Sequence, residues 1–452
     1  MARNCDRGAG GGAGGKTLGV GMGGGGGAGG GIYINCKRFE GTSSGILSAR
    51  GGNGNASGGA GGGGRIGVIY NTTAQAGYNP GVRFDTSRGT GGFSANTGRE
   101  SEDGTLYLPD ISFLSTNISG GIFYQVYLTI PAFTNWSVAN LTIDNSRLYF
   151  SSTNLTINIT NDLTIQNNAA IGLMGHSSLI ARDINFTGNG YLVARSGPTN
   201  NPAKKYGVLV RAIRNMNIAS GSWVYPYSDP TNGASPKFMA RNITVQTNAG
   251  FNADGKGYWF IRGPGLGTSW SGAGHGGRGG NGASGTGGSV YGSSNTPVTA
   301  GSGGCYEPGG GNGGGVIRIE TTGKATIYGT LRANGDNNCV LHGGGGSGGS
   351  VFLACNELVT SPNTLFSTKG GNGTGNGGAG GGGRVAIWYH HANPEVLTDP
   401  TRFIVSNCPD YLGTISVTNG TGYYNPPSPF AAAPGTICYV KGPMPGSVFM
   451  IK

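Results

Sequence analysis

Charged residues are scarce in this sequence. They make up 11% of its 452 residues, whereas an ordinary soluble domain has about 25%. No stretch approaches the roughly 20 apolar residues of a membrane-spanning helix, so we expect no membrane span. The N-terminus, Met1 to Arg7, has no apolar run before it enters glycine, which is not typical of a secretory signal peptide. An exported protein would therefore be represented here by a mature product or a fragment.

Motifs for catalysis or metal binding are also missing. There is no Cys-x-x-Cys, no His-Glu-x-x-His, and no Gly-x-Ser-x-Gly between a strand and a helix. Acidic residues are dispersed, and Asp144, Asp162 and Asp183 lie at or beside the starts of successive strand-like runs. A stacked row of them could bind calcium, but strand-corner positions are the favoured interpretation. We predict no catalytic residues, no cofactor and no metal.

Basic residues exceed acidic ones by 30 to 19, giving a formal charge of +11. They are scattered, and the tightest groups are Lys204-Lys205 and Arg211 with Arg214. No basic stripe is interleaved with aromatic residues, so nucleic acid is not a predicted partner. Solvated surface charge is the favoured interpretation, and attraction to a cell surface or an acidic polysaccharide is the alternative.

Glycine is abundant, with 96 residues, about three times the usual share. Because each glycine inside a helix costs about 1 kcal/mol, this composition predicts little or no helix. Blocks of glycine abut apolar strand-like runs, which a flexible linker would not need. We predict that these blocks pack closely, as extended or polyproline II-like backbones. The blocks lie near residues 8–15, 23–31, 58–64, 274–280, 309–315, 343–349 and 377–383.

The sequence also repeats. Residues 58–70, GGAGGGGRIGVIY, match residues 377–389, GGAGGGGRVAIWY, and each copy follows a Gly-Gly-x-apolar strand and a Gly-Gly-Asn-Gly. The second copy has an upstream half-unit that the first lacks. Between the copies, short alternating runs such as Asn140-Leu-Thr-Ile143 recur at quasi-regular intervals, which indicates a β-solenoid, with a β-sandwich as the alternative.

The predicted fold is therefore all-β, a parallel β-helix or β-solenoid-like body with glycine-rich layers or lobes. The predicted parts are a truncated glycine-rich repeat (1–110), a solenoid-like middle (111–270) and a fuller glycine-rich repeat with a C-terminal strand segment (271–452). Arg65 and Arg384 occupy the same place in the two copies, directly before a strand. A solvent-facing position is one interpretation; the one we favour is that each guanidinium donates to carbonyls of the neighbouring glycine layer.

Seven cysteines offer several pairings. Cys408 and Cys438 flank one hairpin-like segment and are the best disulfide candidate. Cys5 with Cys36 and Cys339 with Cys355 are further candidates, because Asn-Cys precedes a glycine block at both Cys5 and Cys339. Cys305 with Cys339 is the rival pairing, and buried free thiols remain an alternative.

Eleven Asn-x-Ser/Thr sequons make glycosylation a further expectation if the chain passes through a eukaryotic secretory pathway. Alternating Asn-Leu-Thr-Ile strands create such motifs for structural reasons too. The sequons are Asn55, Asn71, Asn117, Asn135, Asn140, Asn154, Asn158, Asn185, Asn242, Asn372 and Asn419.

The GGxGGGGR[IV]x[IV]xY blocks resemble the glycine-rich repeats of large secreted or surface-anchored proteins of bacteria and some eukaryotes. The resemblance covers about 1–110 and 271–442. It implies an extracellular or cell-surface, all-β, β-helical scaffold and brings no catalytic residues with it. The tips of viral tail fibres are similar in the glycine blocks alone.

The leading functional hypothesis is a structural, non-enzymatic subunit of an extracellular filament, sheath or surface layer. We expect a head-to-tail homopolymer in which the C-terminal strand, within residues 446–452, completes the N-terminal repeat of the next subunit; alternatively, residue 1 is a proteolytic boundary. An adhesin or polysaccharide-binding fibre module and a β-solenoid polysaccharide lyase or hydrolase are the two other hypotheses.

Overall fold

The structure is a computed structural model, and it describes residues 24–55, 58–91, 101–198, 206–306, 309–338, 341–390, 400–424 and 428–442. It is nearly all β, 2% helical and 37% strand. The two helices of the described residues have four residues each, α1 (Thr72–Gln75) and a 3-10 helix (Pro400–Phe403). The prediction of an all-β chain with little helix is therefore confirmed.

The chain forms two compact units, Met1–Ser177 with Thr187–Val193, and Ser178–Phe186 with Ala194–Lys452. The last of the three positions at which the chain passes from one unit to the other lies within strand β15, Tyr191–Ser196. The three parts predicted from the repeats stay a prediction, because these units follow packing and not sequence similarity.

Parallel pairing dominates the first unit. One sheet has the order β1-β3-β5-β8-β11-β13, a second joins β6, β10, β12 and β9, and a third is β2-β4-β7. The strands are β1 (Gly31–Cys36), β2 (Ile46–Ser48), β3 (Arg65–Tyr70), β4 (Arg83–Asp85), β5 (Thr105–Tyr107), β6 (Asn117–Ile118), β7 (Phe123–Tyr124), β8 (Val126–Thr129), β9 (Asn135–Val138), β10 (Leu141–Asp144), β11 (Arg147–Phe150), β12 (Thr156–Gln166) and β13 (Ala170–Gly175).

The second unit also contains parallel rows. Their orders are β17-β20-β23-β26-β29, β14-β16-β18-β21-β24-β27-β30, and a side row β16-β19-β22-β25. Among the described strands of this unit, only β28 pairs antiparallel, with β30. The strands are β14 (Ser178–Phe186), β16 (Leu209–Ile218), β17 (Trp223–Tyr227), β18 (Lys237–Ala240), β19 (Asn242–Val245), β20 (Gly250–Asn252), β21 (Val316–Thr321), β22 (Lys324–Ile327), β23 (Thr330–Arg332), β24 (Ser350–Ala354), β25 (Glu357–Thr360), β26 (Leu365–Ser367), β27 (Arg384–Tyr389), β28 (Ile404–Val405), β29 (Thr414–Ser416) and β30 (Thr436–Lys441).

The parallel register places apolar residues of successive strands next to one another, so that they form buried columns. In the second unit Ile184, Met216, Ile243, Ala325 and Leu358 pair in succession across five strands, and all five are buried. Side chains alternate between the two faces of a strand, so the polar residues between these positions point away from the column. This explains the alternating pattern of the middle sequence.

Asparagine and aspartate side chains form a hydrogen-bonded ladder across neighbouring strands. Asp183 Oδ1 accepts from the backbone N–H of Asn215 at 3.0 Å and from its Nδ2 at 2.7 Å. Asn215 Oδ1 in turn accepts from Asn242 Nδ2 at 3.1 Å, and Asn242 Oδ1 accepts from the Lys324 N–H at 3.0 Å. The ladder satisfies polar groups where the register of β14 and β16 shifts and where β19 and β22 begin. Asp183 therefore has a structural role at this position of the sheet.

Glycine-rich segments form a second kind of packing. In the first unit Gly26 N–H donates to the Gly59 carbonyl at 2.8 Å, and Gly29 N–H donates to Gly62 at 2.9 Å. Donors and acceptors thus recur every three residues, the period of a polyproline II helix. These backbones bond sideways to their neighbours, because this conformation has no internal hydrogen bonds.

In the second unit the segment 377–383 is surrounded by such neighbours. Gly378 and Gly381 donate to Trp270 and Ala273, again three residues apart, at 2.7 and 2.8 Å. Counting both donors and acceptors, the segment bonds to six other stretches of chain. They are 270–273, 277–280, 343–349, 368–371, 420–423 and 433–436.

Such packing leaves no room for side chains. A Cβ on Gly380 would lie 2.0 Å from the Gly346 carbonyl oxygen, and one on Gly383 would lie 2.1 Å from that of Gly349. Real carbon and oxygen atoms do not approach so closely, so an alanine would force the backbones apart. Glycine in these segments is therefore a steric requirement.

One pair of variants tests this requirement within a single block. A Cβ at Gly61 would lie 1.9 Å from the Gly27 oxygen, whereas one at Gly59 would meet nothing within 4 Å. We expect Gly61→Ala to lower the free energy of unfolding by about 1–3 kcal/mol or more. Gly59→Ala should stay within about 0.5 kcal/mol of the parent. Urea unfolding followed by circular dichroism measures both, and equal effects would contradict the close packing.

Candidate functional site: a buried polar network and an open strand edge

The glycine-rich part of the second unit is held together by a buried arginine. Arg384 follows the block 377–383, begins β27 and is 6% exposed. Its Nε and Nη2 donate to the Tyr291 carbonyl at 3.0 and 2.7 Å, and Nη2 also donates to the His275 carbonyl at 3.3 Å. Nη1 donates to Thr436 Oγ1 at 3.0 Å. Burial lowers the pKa of Arg384, but an arginine remains charged in proteins.

Arg65 has a different environment, although it has the same place in the sequence repeat. It begins β3, and its side chain is exposed. Arg65 therefore has the solvent-facing position, and the predicted binding of carbonyls is seen for Arg384.

His275 is the second member of the network and is completely buried. Its Nδ1 lies 2.8 Å from the Gly348 carbonyl oxygen and its Nε2 lies 3.1 Å from Thr299 Oγ1. The carbonyl can only accept, so Nδ1 carries the proton and Nε2 accepts from the hydroxyl. Burial, together with the nearby positive charge of Arg384, lowers the pKa of His275 from 6.5 to about 4, although the hydrogen bond to Gly348 acts in the opposite direction. The ring is therefore neutral at pH 7.

Hydroxyl groups complete the network. Ser302 Oγ donates to Tyr291 Oη at 2.9 Å and accepts from the Gly265 N–H at 2.9 Å. Ser347 Oγ accepts from the Ser302 N–H at 2.8 Å. These small side chains pair backbone groups that a packed glycine bundle would otherwise leave unsatisfied.

This network has the chemistry of a structural anchor. The ring nitrogens of His275 bond to a backbone carbonyl and a threonine hydroxyl, which fix the orientation of the buried ring. In the described part of the chain, no group of three His, Cys, Asp or Glu side chains is placed to hold a metal ion.

We expect Arg384→Ala to destabilise the protein by about 2–4 kcal/mol, because it leaves buried carbonyls without donors. Arg65→Ala is the matched control at the equivalent sequence position and should change the free energy of unfolding by less than about 0.5 kcal/mol. Thermal melts of both variants measure the difference. Similar melting temperatures would mean that the Arg384 bonds add nothing to stability.

His275 should make the fold sensitive to acid. Its folded pKa, about 4, is below its ordinary value of 6.5, so the unfolded chain binds its proton first. Stability should then be highest above pH 6.5 and fall as the pH decreases toward 4, by about 2–3 kcal/mol from this group. His275→Asn keeps a donor for the Gly348 carbonyl but cannot titrate. Urea unfolding from pH 7.5 to pH 4 should show a shallower decline for this variant, and an unchanged decline would exclude His275 as the cause.

The described cysteines, Cys36, Cys305, Cys355, Cys408 and Cys438, are all free thiols. Cys5 and Cys339 lie outside the described residues. Their predicted partners Cys36 and Cys355, and the rival partner Cys305, are free in this structure, so it does not support these pairings.

The predicted bridge between Cys408 and Cys438 is not formed in this structure. Cys438 packs with Phe352 and Trp388 on one face of the β24-β27-β30 row. Cys408 follows Asn407, whose carbonyl accepts from Tyr389 Oη at 3.4 Å, and Tyr389 is adjacent to Trp388 on β27. Because adjacent residues of a strand point to opposite faces, the two thiols lie on opposite sides of the sheet.

None of the eleven sequon asparagines is buried. Seven are exposed and four are half-buried, which leaves all of them open to solvent in part. The exposed ones are Asn55, Asn71, Asn117, Asn135, Asn140, Asn154 and Asn372, and the half-buried ones are Asn158, Asn185, Asn242 and Asn419.

An open strand edge is the second feature of interest. Strand β1 pairs with β3 and, within the described residues, with no strand on its other side. The Arg65 N–H donates to the Gly30 carbonyl at 2.9 Å, so the even-numbered residues of β1 bond to β3. The N–H and C=O groups of Tyr33 therefore point outward, and its side chain is 71% exposed.

No described helix is both long and apolar enough to cross a membrane.

Comparison with protein-family models, with curated proteins and with solved structures found no match to this chain.

Proposed function

We propose that this chain is a structural subunit of an extracellular filament, sheath or surface layer, built on a parallel β-helical body. The parallel rows and stacked columns support such a body, because consecutive strands contribute to different rows before the chain returns to each row. The glycine-rich bundle supports a structural role, since it packs backbone against backbone with no mobile side chains between.

The observation that carries the proposal is the outward-facing edge of β1. Unpaired N–H and C=O groups on an exposed strand are a template for another strand. Soluble proteins usually protect such an edge with charge or proline, whereas β1 has the sequence Gly-Ile-Tyr-Ile-Asn-Cys. A strand from a second subunit could continue the sheet here, and a contact between different surfaces repeats into an open filament. The C-terminal strand expected within 446–452 is our candidate for that strand and lies outside the described residues.

Tyr33→Pro tests the edge directly. Proline removes the outward N–H of residue 33 and places a ring at the edge, and it leaves the bonds of the even-numbered residues to β3 intact. We expect the parent chain to form filaments in negative-stain images and the variant to sediment as a monomer with a similar melting temperature. Tyr33→Ala, which keeps the N–H and loses only the ring, should still assemble.

Removal of residues 446–452 tests the other partner in the contact and should also give folded monomers. Filaments of unchanged length from the Tyr33→Pro chain would rule out addition at β1. A parent chain that stays monomeric at every concentration would overturn the proposed function itself.

A further inference from the structure

Three aromatic side chains share one face of β17 in the second unit. Alternation along the strand places Trp223, Tyr225 and Tyr227 on one side, where they are half-buried, while Val224 and Pro226 are buried on the other. The rings thus form a row on the outer face of the β17-β20-β23 sheet.

Three cations from other parts of the chain lie over these rings. The guanidinium carbon of Arg195 is 4.2 Å from the centre of the Tyr227 ring, and that of Arg332 is 5.7 Å from the Trp223 ring. The Lys256 ammonium is 5.1 Å from the Tyr227 ring. These distances are typical of cation–π contacts. We call the six residues Arg195, Trp223, Tyr225, Tyr227, Lys256 and Arg332 the basic aromatic face.

Acidic groups offset only part of this charge. Asp254 Oδ2 lies 3.1 Å from Arg332 Nε. Asp336 interacts with Lys256, but burial raises the pKa of Asp336 to about 7, so its carboxyl is partly protonated at neutral pH. Within the described residues no carboxylate forms an ion pair with Arg195. The face therefore keeps a net positive charge.

We propose that the basic aromatic face binds an acidic polysaccharide. The guanidinium and ammonium groups can pair with the carboxylates of uronic acid units, while the ring edges and tyrosine hydroxyls that the cations leave uncovered can contact the sugars. Five of the six residues lie on strands β15, β17 and β23, and Lys256 Nζ donates to the Asp254 carbonyl at 3.0 Å. Side chains that are already positioned reduce the entropic cost of binding. This site goes beyond the structural role proposed above and does not depend on assembly.

Charge complementarity favours an acidic polysaccharide over a neutral one. A nucleic acid is less well matched, because half-buried rings covered by cations offer no open faces on which bases could stack. Binding of a single-stranded oligonucleotide is therefore an outcome that the test must distinguish.

The test uses the full chain and polygalacturonate, with calorimetry at about 50 mM and about 200 mM salt, the range over which charge-driven binding weakens strongly. We expect measurable binding that falls with salt and no binding to neutral dextran. The double variant Arg195→Gln, Lys256→Gln should bind at least tenfold more weakly and show a smaller salt dependence. Arg211→Gln removes an exposed charge on β16 and is the control that should bind as the parent does.

A second variant separates the aromatic contribution from the charge. Tyr225→Ala, with a melting curve to show that the fold is kept, should weaken binding severalfold without changing the salt dependence. Equal binding by the parent and the double variant would overturn the proposal, as would the absence of any polygalacturonate binding. If oligo-dT bound as tightly as polygalacturonate, and the double variant weakened that binding too, the face would instead be assigned to single-stranded nucleic acid.

Discussion

The structure depends on one constraint, the lack of space for a Cβ between neighbouring backbones in the glycine-rich segments. Backbones that approach this closely must pair their N–H and C=O groups with each other, since no side chain can reach between them. The three-residue period follows from that requirement, because only a three-fold backbone directs its polar groups at neighbours on all sides. Segment 377–383, bonded to six other stretches, shows the arrangement at its fullest.

The buried polar network follows from the same constraint. Where the bundle ends and regular strands begin, some backbone carbonyls and N–H groups have no backbone partner and need a side chain instead. Arg384 sits at such a border and supplies several donors to carbonyls that face it. His275 and the small hydroxyl residues fill the remaining places. The scarcity of charge in the sequence agrees with this design, in which one arginine is buried among dipoles.

Much of the fold could be predicted from the sequence, because its patterns are local. Alternation of apolar and polar residues in runs such as Asn242–Val245 indicates which side chains face the core. Glycine blocks beside strands indicate close backbone packing. The features that escaped prediction join distant residues. Arg195, Tyr227 and Arg332 come from separate strands, so no basic aromatic stripe is visible in the sequence. The pairing of Cys408 with Cys438 rested on spacing along the chain, which says nothing about the face of the sheet to which each thiol points.

The glycine bundle also has a consequence for how the second unit folds. Its hydrogen bonds join residues far apart in the chain; His275 and Arg384, for example, are separated by 109 positions. Glycine loses more conformational freedom on folding than any other residue, and long loops must close before these bonds can form. Proteins dominated by such distant contacts fold slowly. We therefore expect the bundle to order last, after the parallel strands of the second unit have brought its segments together.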